Sequence, residues 1–270
     1  MIIIGERLNS SRKSVLEALQ CRDTEFVCEQ ARKQEQAGAA YIDINAAALM
    51  DGEAEGLCWA IPLLQSDLNV PLSIDTPNPR AMEAALKIHK GRALLNSVTG
   101  EKSSLDALLP IIREFKPRVI ALCFEESGPP ANAEIAVDRV KKLTDVLTGA
   151  GLQPEDIFFD PLVRLIGVDA ASGALFLDSV DKIKREMPHV KTIAGLSNVS
   201  FGMPQRRLLN RTFLALAMAR GLDAAICDPL DAELQATIHA AAALLGQDPS
   251  LKSYLRFSRA KAKTEQEGGS

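Results

Sequence analysis

Eight short apolar segments, which recur about every 20 to 40 residues with helix-forming stretches between them, constrain the fold of this chain more than any other feature. Continuous apolar runs of about four to seven residues are typical of strands that are buried on both faces of a parallel sheet. Eight strand–helix units in about 250 residues predict a single-domain α/β fold, the (β/α)8 or TIM barrel. An open doubly wound sheet is the alternative that the same alternation permits. The predicted strands are Ile2–Gly5, Tyr41–Asn45, Leu72–Asp75, Ala93–Asn96, Arg118–Phe124, Ile157–Asp160, Val190–Ala194 and Ala224–Cys227.

The predicted barrel takes up almost the whole chain, residues 1–257 of 270. No glycine-rich dinucleotide fingerprint follows the first predicted strand, which disfavours the doubly wound alternative. The stretch 258–270 is rich in polar residues, and we expect it to form a disordered tail.

Each predicted strand ends in a carboxylate or an amide side chain. Asp and Asn also favour turns and helix caps, so a turn role is the alternative for any single one of them. In a closed barrel, however, all eight strand ends face one mouth, where the catalytic groups of this fold lie. Acidic groups without basic partners suit a ligand that is rich in N–H donors. The residues are Glu6, Asp43 with Asn45, Asp75, Asn96, Glu125, Asp160, Asn198 and Asp228.

Composition excludes several classes of partner and cofactor. The formal net charge of −4 provides no basic surface for nucleic acid or an anionic membrane. No apolar run approaches the roughly 20 residues of a membrane helix, and the N-terminal residues lack the features of a signal peptide. The five cysteines are scattered and odd in number, so we expect reduced thiols in a cytoplasmic protein.

The distribution of histidine argues against a protein-bound metal. His89, His189 and His239 fall in predicted helices or at helix ends, where we expect them to be exposed, and the strand ends are poor in His and Cys. A transition-metal site needs several such ligands together. We therefore expect no metal ligands at the mouth.

Seven short motifs, taken together and in this order, resemble those of the methyltetrahydrofolate:corrinoid-protein methyltransferases. They are also similar to the folate domain of cobalamin-dependent methionine synthase, and both groups belong to the pterin-binding barrel family that includes dihydropteroate synthase. The resemblance extends from Met1 to about Phe257. The motifs are Gly5–Asn9, Asp43–Asn45, Ser73–Thr76, Leu95–Ser97, Phe159–Leu162, Gly195–Ser200 and Asn210–Phe213.

The resemblance implies an enzyme that moves a methyl group between N5 of tetrahydrofolate and the cobalt of a corrinoid carried by a separate protein. It implies that Asp75, Asn96 and Asp160 hold the pterin edge and that Asn198 hydrogen-bonds to N5 as charge develops there. An asparagine cannot supply the proton that N5 takes up, so water or a nearby group must do so. Such enzymes are usually homodimers, which we expect here too.

Other residues of the same motifs complete the predicted site. Gly195 and Ser197 belong to the motif that contains Asn198, and we expect them to contribute to the folate site. Additional candidates for contacts to the folate or to the corrinoid are Glu6, Asn9, Asp43, Asn45 and Arg206. A capped, solvated helix start is the alternative interpretation of Arg206.

Two other functions stay open. Dihydropteroate synthase needs basic residues for its pyrophosphate leaving group, and we would expect a lysine after strand seven and an Arg-x-His motif near strand eight. Those places hold Ser197–Asn198 and Cys227–Pro229, which counts against this reaction. A non-catalytic folate-binding or corrinoid-protein-binding module is the second alternative, although the presence of Asn198 favours chemistry. The direction of methyl transfer is also open.

Overall fold

The structure is a computed structural model that describes the backbone of residues 1–267 and the side chains of residues 1–260. Strands and helices alternate through this part of the chain. The strands are β1 Ile2–Asn9, β2 Tyr41–Asn45, β3 Leu72–Asp75, β4 Leu94–Thr99, β5 Arg118–Leu122, β6 Ile157–Asp160, β7 Lys191–Gly195 and β8 Ala224–Cys227. The α-helices in residues 1–267 are α1 Lys13–Cys21, α2 Thr24–Gln36, α3 Glu53–Asp67, α4 Pro79–Ile88, α5 Lys102–Phe115, α6 Ala133–Gly149, α7 Ser172–Glu186, α8 Arg206–Ala219, α9 Ala232–Leu244 and α10 Lys252–Glu267.

The eight strands form one closed parallel barrel in sequence order. β8 closes the barrel on β1, where Ile2 pairs with Ala224 and Gly5 pairs with Cys227. This closure confirms the predicted (β/α)8 architecture and excludes the open doubly wound sheet. In the described part of the chain, no helix is both long enough and apolar enough to cross a membrane.

The barrel interior contains an apolar layer below a polar layer. Successive side chains of a strand point to opposite faces, so a residue and the one two positions later share a face. The apolar layer is one buried cluster, and the polar residues at the mouth lie two positions farther along the same strands. Its members are Ile4, Tyr41, Leu94, Ile120, Phe158, Ile193 and Ala224. Glu6, Asp43, Asn96 and Asp160 therefore stand directly above this layer.

β1 is longer than predicted and contains an irregularity. Its pairing with β2 shifts register between Gly5 and Leu8. The Arg7 N–H donates to Oε1 of Gln34, a buried side chain of α2, at 3.0 Å. A Cβ on residue 5 would come within 2.5 Å of the same oxygen, so the close approach of Gln34 requires glycine there. The bulge lets β1 continue to Asn9 while it carries Glu6 and Arg7 to the mouth.

The C-terminal stretch carries a helix where the sequence indicates a tail. α10 runs across residue 257 and continues to Glu267, while residues 268–270 lie outside the described residues. Ala, Lys, Glu and Gln dominate this stretch and are strong helix formers, which accounts for helical backbone in a polar segment. The predicted boundary at residue 257 does not coincide with an element boundary.

Candidate functional site

The candidate site is the mouth, which we define as the polar residues at the carboxyl ends of the barrel strands. Its first hydrogen-bonded group joins β2, β3 and β4. Oδ1 of the buried Asp43 accepts from Ser73 Oγ at 2.6 Å and from Asn96 Nδ2 at 3.1 Å. Because its Nδ2 is held in this way, Asn96 presents its amide oxygen as an acceptor. Asp43 is thus a residue that orients Asn96.

A second group of hydrogen bonds orients Asp75. Asn45 Nδ2 donates to Asp75 Oδ2 at 3.0 Å, and Asn45 Oδ1 accepts from Ser10 Oγ at 2.8 Å. No described side chain donates a hydrogen bond to the other carboxylate oxygen of Asp75, which stays available as an acceptor. Asp75 and Asn96 both line a cavity of about 600 Å³ over β3 and β4.

Asp160 lies at the base of the mouth. Its side chain is buried, and Oδ1 accepts from the Leu162 N–H at 2.7 Å. Burial raises the pKa of Asp160 to about 7, although hydrogen bonds from the backbone N–H groups of Leu162 and Gly195 oppose this change. The carboxyl group therefore titrates close to neutral pH.

Three further acidic groups of the mouth, Asp43, Asp75 and Glu6, also have raised pKa values. Burial is the main cause for Asp43, and the neighbouring charge of Asp75 adds to it. Burial also raises the pKa of Asp75, against the hydrogen bond from Asn45, and the pKa of Glu6, against the hydrogen bond from Ser197. Several carboxyl groups in a confined space disfavour one another's ionised forms. The mouth consequently holds more protons at neutral pH than isolated carboxylates would.

The raised pKa of Asp43 predicts a stability that depends on pH. Because the folded pKa lies above the ordinary value of about 3.9, the folded state binds this proton more tightly than the unfolded state does. The contribution of Asp43 is complete below about pH 4 and is lost as pH rises through the folded pKa. The neutral isostere Asp43→Asn should therefore be more stable than the wild-type protein at pH 8, by about 1–3 kcal/mol. Urea unfolding at pH 8 and pH 4.5 measures this difference.

The difference between Asp43→Asn and wild type should nearly vanish at pH 4.5. Asp106→Asn provides the control, because it makes the same change at an exposed position of α5. An equal stability difference at both pH values would contradict the assigned cause.

The end of β7 holds an amide that is open to solvent. Residues Leu196–Asn198 form a short 3-10 turn directly after the strand. A Cβ on residue 195 would lie 3.0 Å from Asn198 Nδ2, so Gly195 makes room for this amide. Ser197 Oγ donates to Glu6 Oε2 at 3.1 Å and ties the turn to β1. Among the described residues, no side-chain hydrogen bond occupies the exposed Asn198 amide.

Arg206 stabilises the loop that follows this turn. Its guanidinium donates to Ser197 O at 2.8 Å and to Ser200 Oγ at 3.1 Å, and it lies over the ring of Phe201. These contacts give Arg206 a positioning role at the start of α8. Asn9 similarly uses Oδ1 to accept from the Ser11 N–H at 3.0 Å, which is a turn contact.

Two strand ends differ from the predicted mouth. Asp228 is paired with Arg7 at 2.7 Å, so the prediction of acidic groups without basic partners is wrong at this position. Glu125 lies 3.4 Å from both the buried Arg139 and Lys142 of α6. These ion pairs use Glu125 to hold the loop after β5 against α6. All three ion pairs join residues far apart in sequence or across a loop, and strand patterns alone do not indicate them.

Predicted site residues line two separate cavities at the mouth. Asp75 and Asn96 line the one over β3 and β4, whereas Glu6, Ser197 and Arg206 line another of about 600 Å³ near β1, β7 and β8. Asp160 and Asn198 line neither cavity. Asp160 is buried at the end of β6, and Asn198 is exposed in the turn after β7. The predicted residues are thus brought to one face, but they surround two spaces.

Sequence reasoning missed three supporting residues. Ser73 faces the interior because it pairs with Asp43 in the register of β2 and β3, and strand alternation could have found it. Gln34 and Arg7 left no such signal, since one is on α2 and the other follows a bulge. His89 and His239 also differ from prediction, because they are partly buried, His239 by stacking on Phe257. In the part of the chain with described side chains, no group of three or more His, Cys, Asp or Glu residues is arranged to hold a metal ion.

Comparison with known proteins connects this mouth to a family. The sequence profile of the family described as "Pterin binding enzyme" matches residues 5–228. The methylcorrinoid:tetrahydrofolate methyltransferase of Eubacterium limosum is 34% identical over 261 residues, 96% of each chain. The methionine synthase of Mycobacterium tuberculosis is 29% identical over 240 residues, which are 84% of this chain but only 20% of that longer protein. The chain therefore belongs to the pterin-binding enzyme family and, by its identity to the Eubacterium protein, to the methyltransferases within it.

Solved structures show the same fold at lower identity. Dihydropteroate synthase from Xanthomonas albilineans, in complex with 7,8-dihydropteroate, has a TM-score of 0.70 at 18% identity and covers 92% of this chain and 93% of its own. A dihydropteroate synthase from Coxiella burnetii has a TM-score of 0.68 at 16% identity. The match covers 92% of this chain and 94% of the Coxiella chain. At such identities the likeness supports the shared barrel and carries no argument about the reaction.

Proposed function

We propose that this protein transfers a methyl group between N5 of tetrahydrofolate and the cobalt of a corrinoid carried by a separate protein. The name of the Eubacterium limosum relative contains both reactants, and the similarity extends over nearly all of both chains. The observation that carries the proposal is the open amide of Asn198, which stands at the end of β7 with no side-chain partner among the described residues. This amide lies at the same end of the barrel as the acceptors that we assign to a pterin site.

The acceptors of the mouth match the donors of a pterin. The exocyclic amine and ring N–H groups of a pterin need carboxylate or amide oxygens, and its carbonyl needs a donor. Asp75 and Asn96 each keep one oxygen available, and the buried Asp160 adds a further carboxyl group at the end of β6. Asp43 and Asn45 act behind these residues by fixing their orientation. We assign pterin binding to Asp75, Asn96 and Asp160.

Asn198 is assigned to the reacting nitrogen. When the methyl group leaves as a cation equivalent for cobalt(I), the electron pair of the C–N bond stays on N5, and N5 takes up a proton. A positioned amide that hydrogen-bonds to N5 stabilises this change of charge, which is worth about 3–4 kcal/mol for one well-placed group. Ser197 and Gly195 hold the amide in place through the contact to Glu6 and the missing Cβ. Water or a neighbouring acid supplies the proton.

The remaining site candidates have supporting roles in this proposal. Glu6 fixes the Ser197 turn, Arg206 fixes the loop behind it, and Asn9 stabilises the turn after β1. We propose that the protein acts as a homodimer in the cytoplasm, where its five free cysteines would stay reduced. The corrinoid protein would approach the open mouth, since cobalt must reach the methyl group in line with the breaking bond.

An absorbance assay tests the proposed reaction. Purified protein is mixed with 5-methyltetrahydrofolate and free cob(I)alamin under reducing conditions, and the cobalt(I) band is followed. We expect enzyme-dependent loss of this band as methylcobalamin forms, and the reverse change from methylcobalamin with tetrahydrofolate. Binding of the folate with no conversion in either direction would instead favour a non-catalytic binding module.

Dihydropteroate synthesis has no comparable support in the mouth. At the two places where basic residues would face a pyrophosphate, Ser197 contacts Glu6 and Asp228 is paired with Arg7. Neither Ser197 nor Asp228 itself supplies the positive charge that a pyrophosphate leaving group requires.

A further inference from the structure

The loop between β3 and α4 forms one wall of the cavity over β3 and β4. Its residues that line the cavity are Thr76, Pro77 and Pro79. Asp75 and Asn96, which we assign to the pterin edge, line the same cavity. Because a proline has no N–H, two of the three wall residues cannot donate a backbone hydrogen bond. The position of this wall therefore depends on the contacts that hold Thr76.

Thr76 is held from three directions. Its N–H donates to Asn96 O at 3.2 Å, and its hydroxyl oxygen accepts from the Asn78 N–H at 3.0 Å. The same hydroxyl donates to Oε1 of Glu53 at 2.5 Å, and both of these side chains are buried. Since an ionised carboxylate can only accept, the contact to Glu53 fixes the direction of the hydroxyl proton and leaves the hydroxyl oxygen to the Asn78 N–H.

Glu53 belongs to a helix outside the barrel rather than to a strand end. It is the first residue of α3, where the positive end of the helix dipole favours a negative charge. Glu55, in the same helical turn, is exposed and pairs with Arg22, so the helix already has an acidic residue at its start on the surface. A buried carboxylate is costly unless polar groups hold it. The contact of Glu53 to the wall of the cavity is therefore the feature that needs an explanation.

The charge of Glu53 also acts on Asp75. Burial raises the pKa of Asp75 to about 6, against the hydrogen bond from Asn45, and the negative charge of Glu53 adds to the rise. Asp43 faces Asp75 from β2, and Glu101 lines the same cavity from the loop after β4. Among the described residues that line this cavity, none is a lysine or an arginine. The acidic surroundings favour a proton on Asp75 in the empty site, whereas N–H donors of a ligand favour its ionised form.

We propose that Glu53 is a positioning residue of the pterin site, which acts through the Thr76 hydroxyl to fix the wall of the cavity beside Asp75. This role rests on the proposed folate substrate and adds to it a residue that does not itself line the cavity. The effect falls on the pterin edge, which we assign to Asp75 and Asn96, and not on N5, which we assign to Asn198. Loss of Glu53 should therefore lower folate affinity and leave the transfer rate at saturating folate nearly unchanged.

Three variants separate the hydrogen bond of Glu53 from its charge. Glu53→Ala removes both, and we expect the dissociation constant of 5-methyltetrahydrofolate at pH 8, measured by titration calorimetry, to rise about tenfold. Glu53→Gln keeps an acceptor for the Thr76 hydroxyl and should stay within about twofold of wild type. Thr76→Val removes the other partner, and adding Glu53→Ala to it should weaken binding no further. Single-turnover transfer to cob(I)alamin at saturating folate should stay close to wild type in all of them.

The charge of Glu53 has a readout that needs no folate. Carboxyl carbon NMR of the ligand-free protein follows Asp75, whose signal is identified by its absence in Asp75→Asn. This signal should titrate near pH 6 in the wild type and at lower pH in Glu53→Gln, because one neighbouring negative charge is gone. Glu55→Gln is the matched control, since it removes the same charge at an exposed position of the same helical turn. It should change neither the titration of Asp75 nor the affinity for folate.

The outcomes separate this role from the proposed function. Folate affinity close to wild type in both Glu53→Ala and Thr76→Val would overturn the positioning role while the folate substrate stands. If these two variants do not fold, Glu53→Gln decides the question, and an Asp75 titration equal to that of the wild type would overturn the role. Failure of the wild-type protein to bind 5-methyltetrahydrofolate would overturn the proposed function and this role with it.

Discussion

Asn198→Ala is expected to slow methyl transfer about a hundredfold or more while the protein stays folded. The side chain is exposed and makes no side-chain hydrogen bond to another described residue, so we expect its removal to leave the barrel intact. In the proposed assignment, the variant loses a hydrogen-bonding group next to N5, whose charge changes as the methyl group departs. The loss should fall on the rate of the chemical step and much less on folate affinity, because the amide contributes most in the transition state. Single-turnover transfer to cob(I)alamin and folate titration together measure the two effects.

Asn69→Ala is a matched control for this variant. Asn69 is also an exposed asparagine, but it precedes β3 at the opposite end of the barrel, so methyl transfer should not change. Gly195→Ala offers a second test, because its Cβ would press on Asn198 Nδ2 from 3.0 Å and displace the amide without removing it. Near-normal transfer in both Asn198→Ala and Gly195→Ala would refute the assigned role.

Asp160→Asn is expected to weaken folate binding about tenfold to a hundredfold, as befits the loss of a hydrogen bond to a charged group. The backbone N–H of Leu162 already occupies one oxygen of this side chain. In the variant the amide oxygen would keep that contact, and the NH2 group would then face the donors of the pterin. Two donors facing each other in a buried place leave both without acceptors. Titration calorimetry of 5-methyltetrahydrofolate measures the affinity.

The affinity of the wild-type protein should also depend on pH through Asp160. Burial holds its pKa at about 7, and the ionised form is the one that accepts from the pterin. Binding should therefore weaken as pH falls below about 7, by up to tenfold per unit, and level off above it. Asp160→Asn should lose this dependence, whereas the exposed variant Asp106→Asn should retain it. The same pH dependence in Asp160→Asn would assign the titration to another group.

The strand periodicity accounts for most of what could be predicted about the site. Asp75 and Asp160 each end a strand whose observed bounds are those predicted, Leu72–Asp75 and Ile157–Asp160. In a short apolar run, the first polar residue marks the point at which the strand leaves the core. Asn198 follows a strand in the same way, after one short turn. Local sequence pattern is sufficient here, since the direction of each side chain depends only on alternation along its own strand.

Features that join distant parts of the chain could not be predicted in this way. The pairing of Asp228 with Arg7 spans 221 residues and changes an expected ligand group into a structural ion pair. The bulge in β1 depends on Gln34, a side chain from a helix whose sequence indicates only an amphipathic surface. The ion pair between Glu125 and Arg139 likewise depends on how a loop folds over α6. The periodicity of a single strand or helix does not predict these contacts.

The sequence by itself indicated the barrel and the polar groups at its mouth, because eight strand–helix units of parallel pattern fit this fold and no dinucleotide fingerprint favours the open sheet. The tertiary structure alone decided which of those groups remain open. Asp43 and Asn45 are turned toward Asn96 and Asp75, and Asn198 is left exposed. The physical reason is that a hydrogen-bond partner is chosen by distance in space, and closure of the barrel brings together strands that the chain keeps far apart.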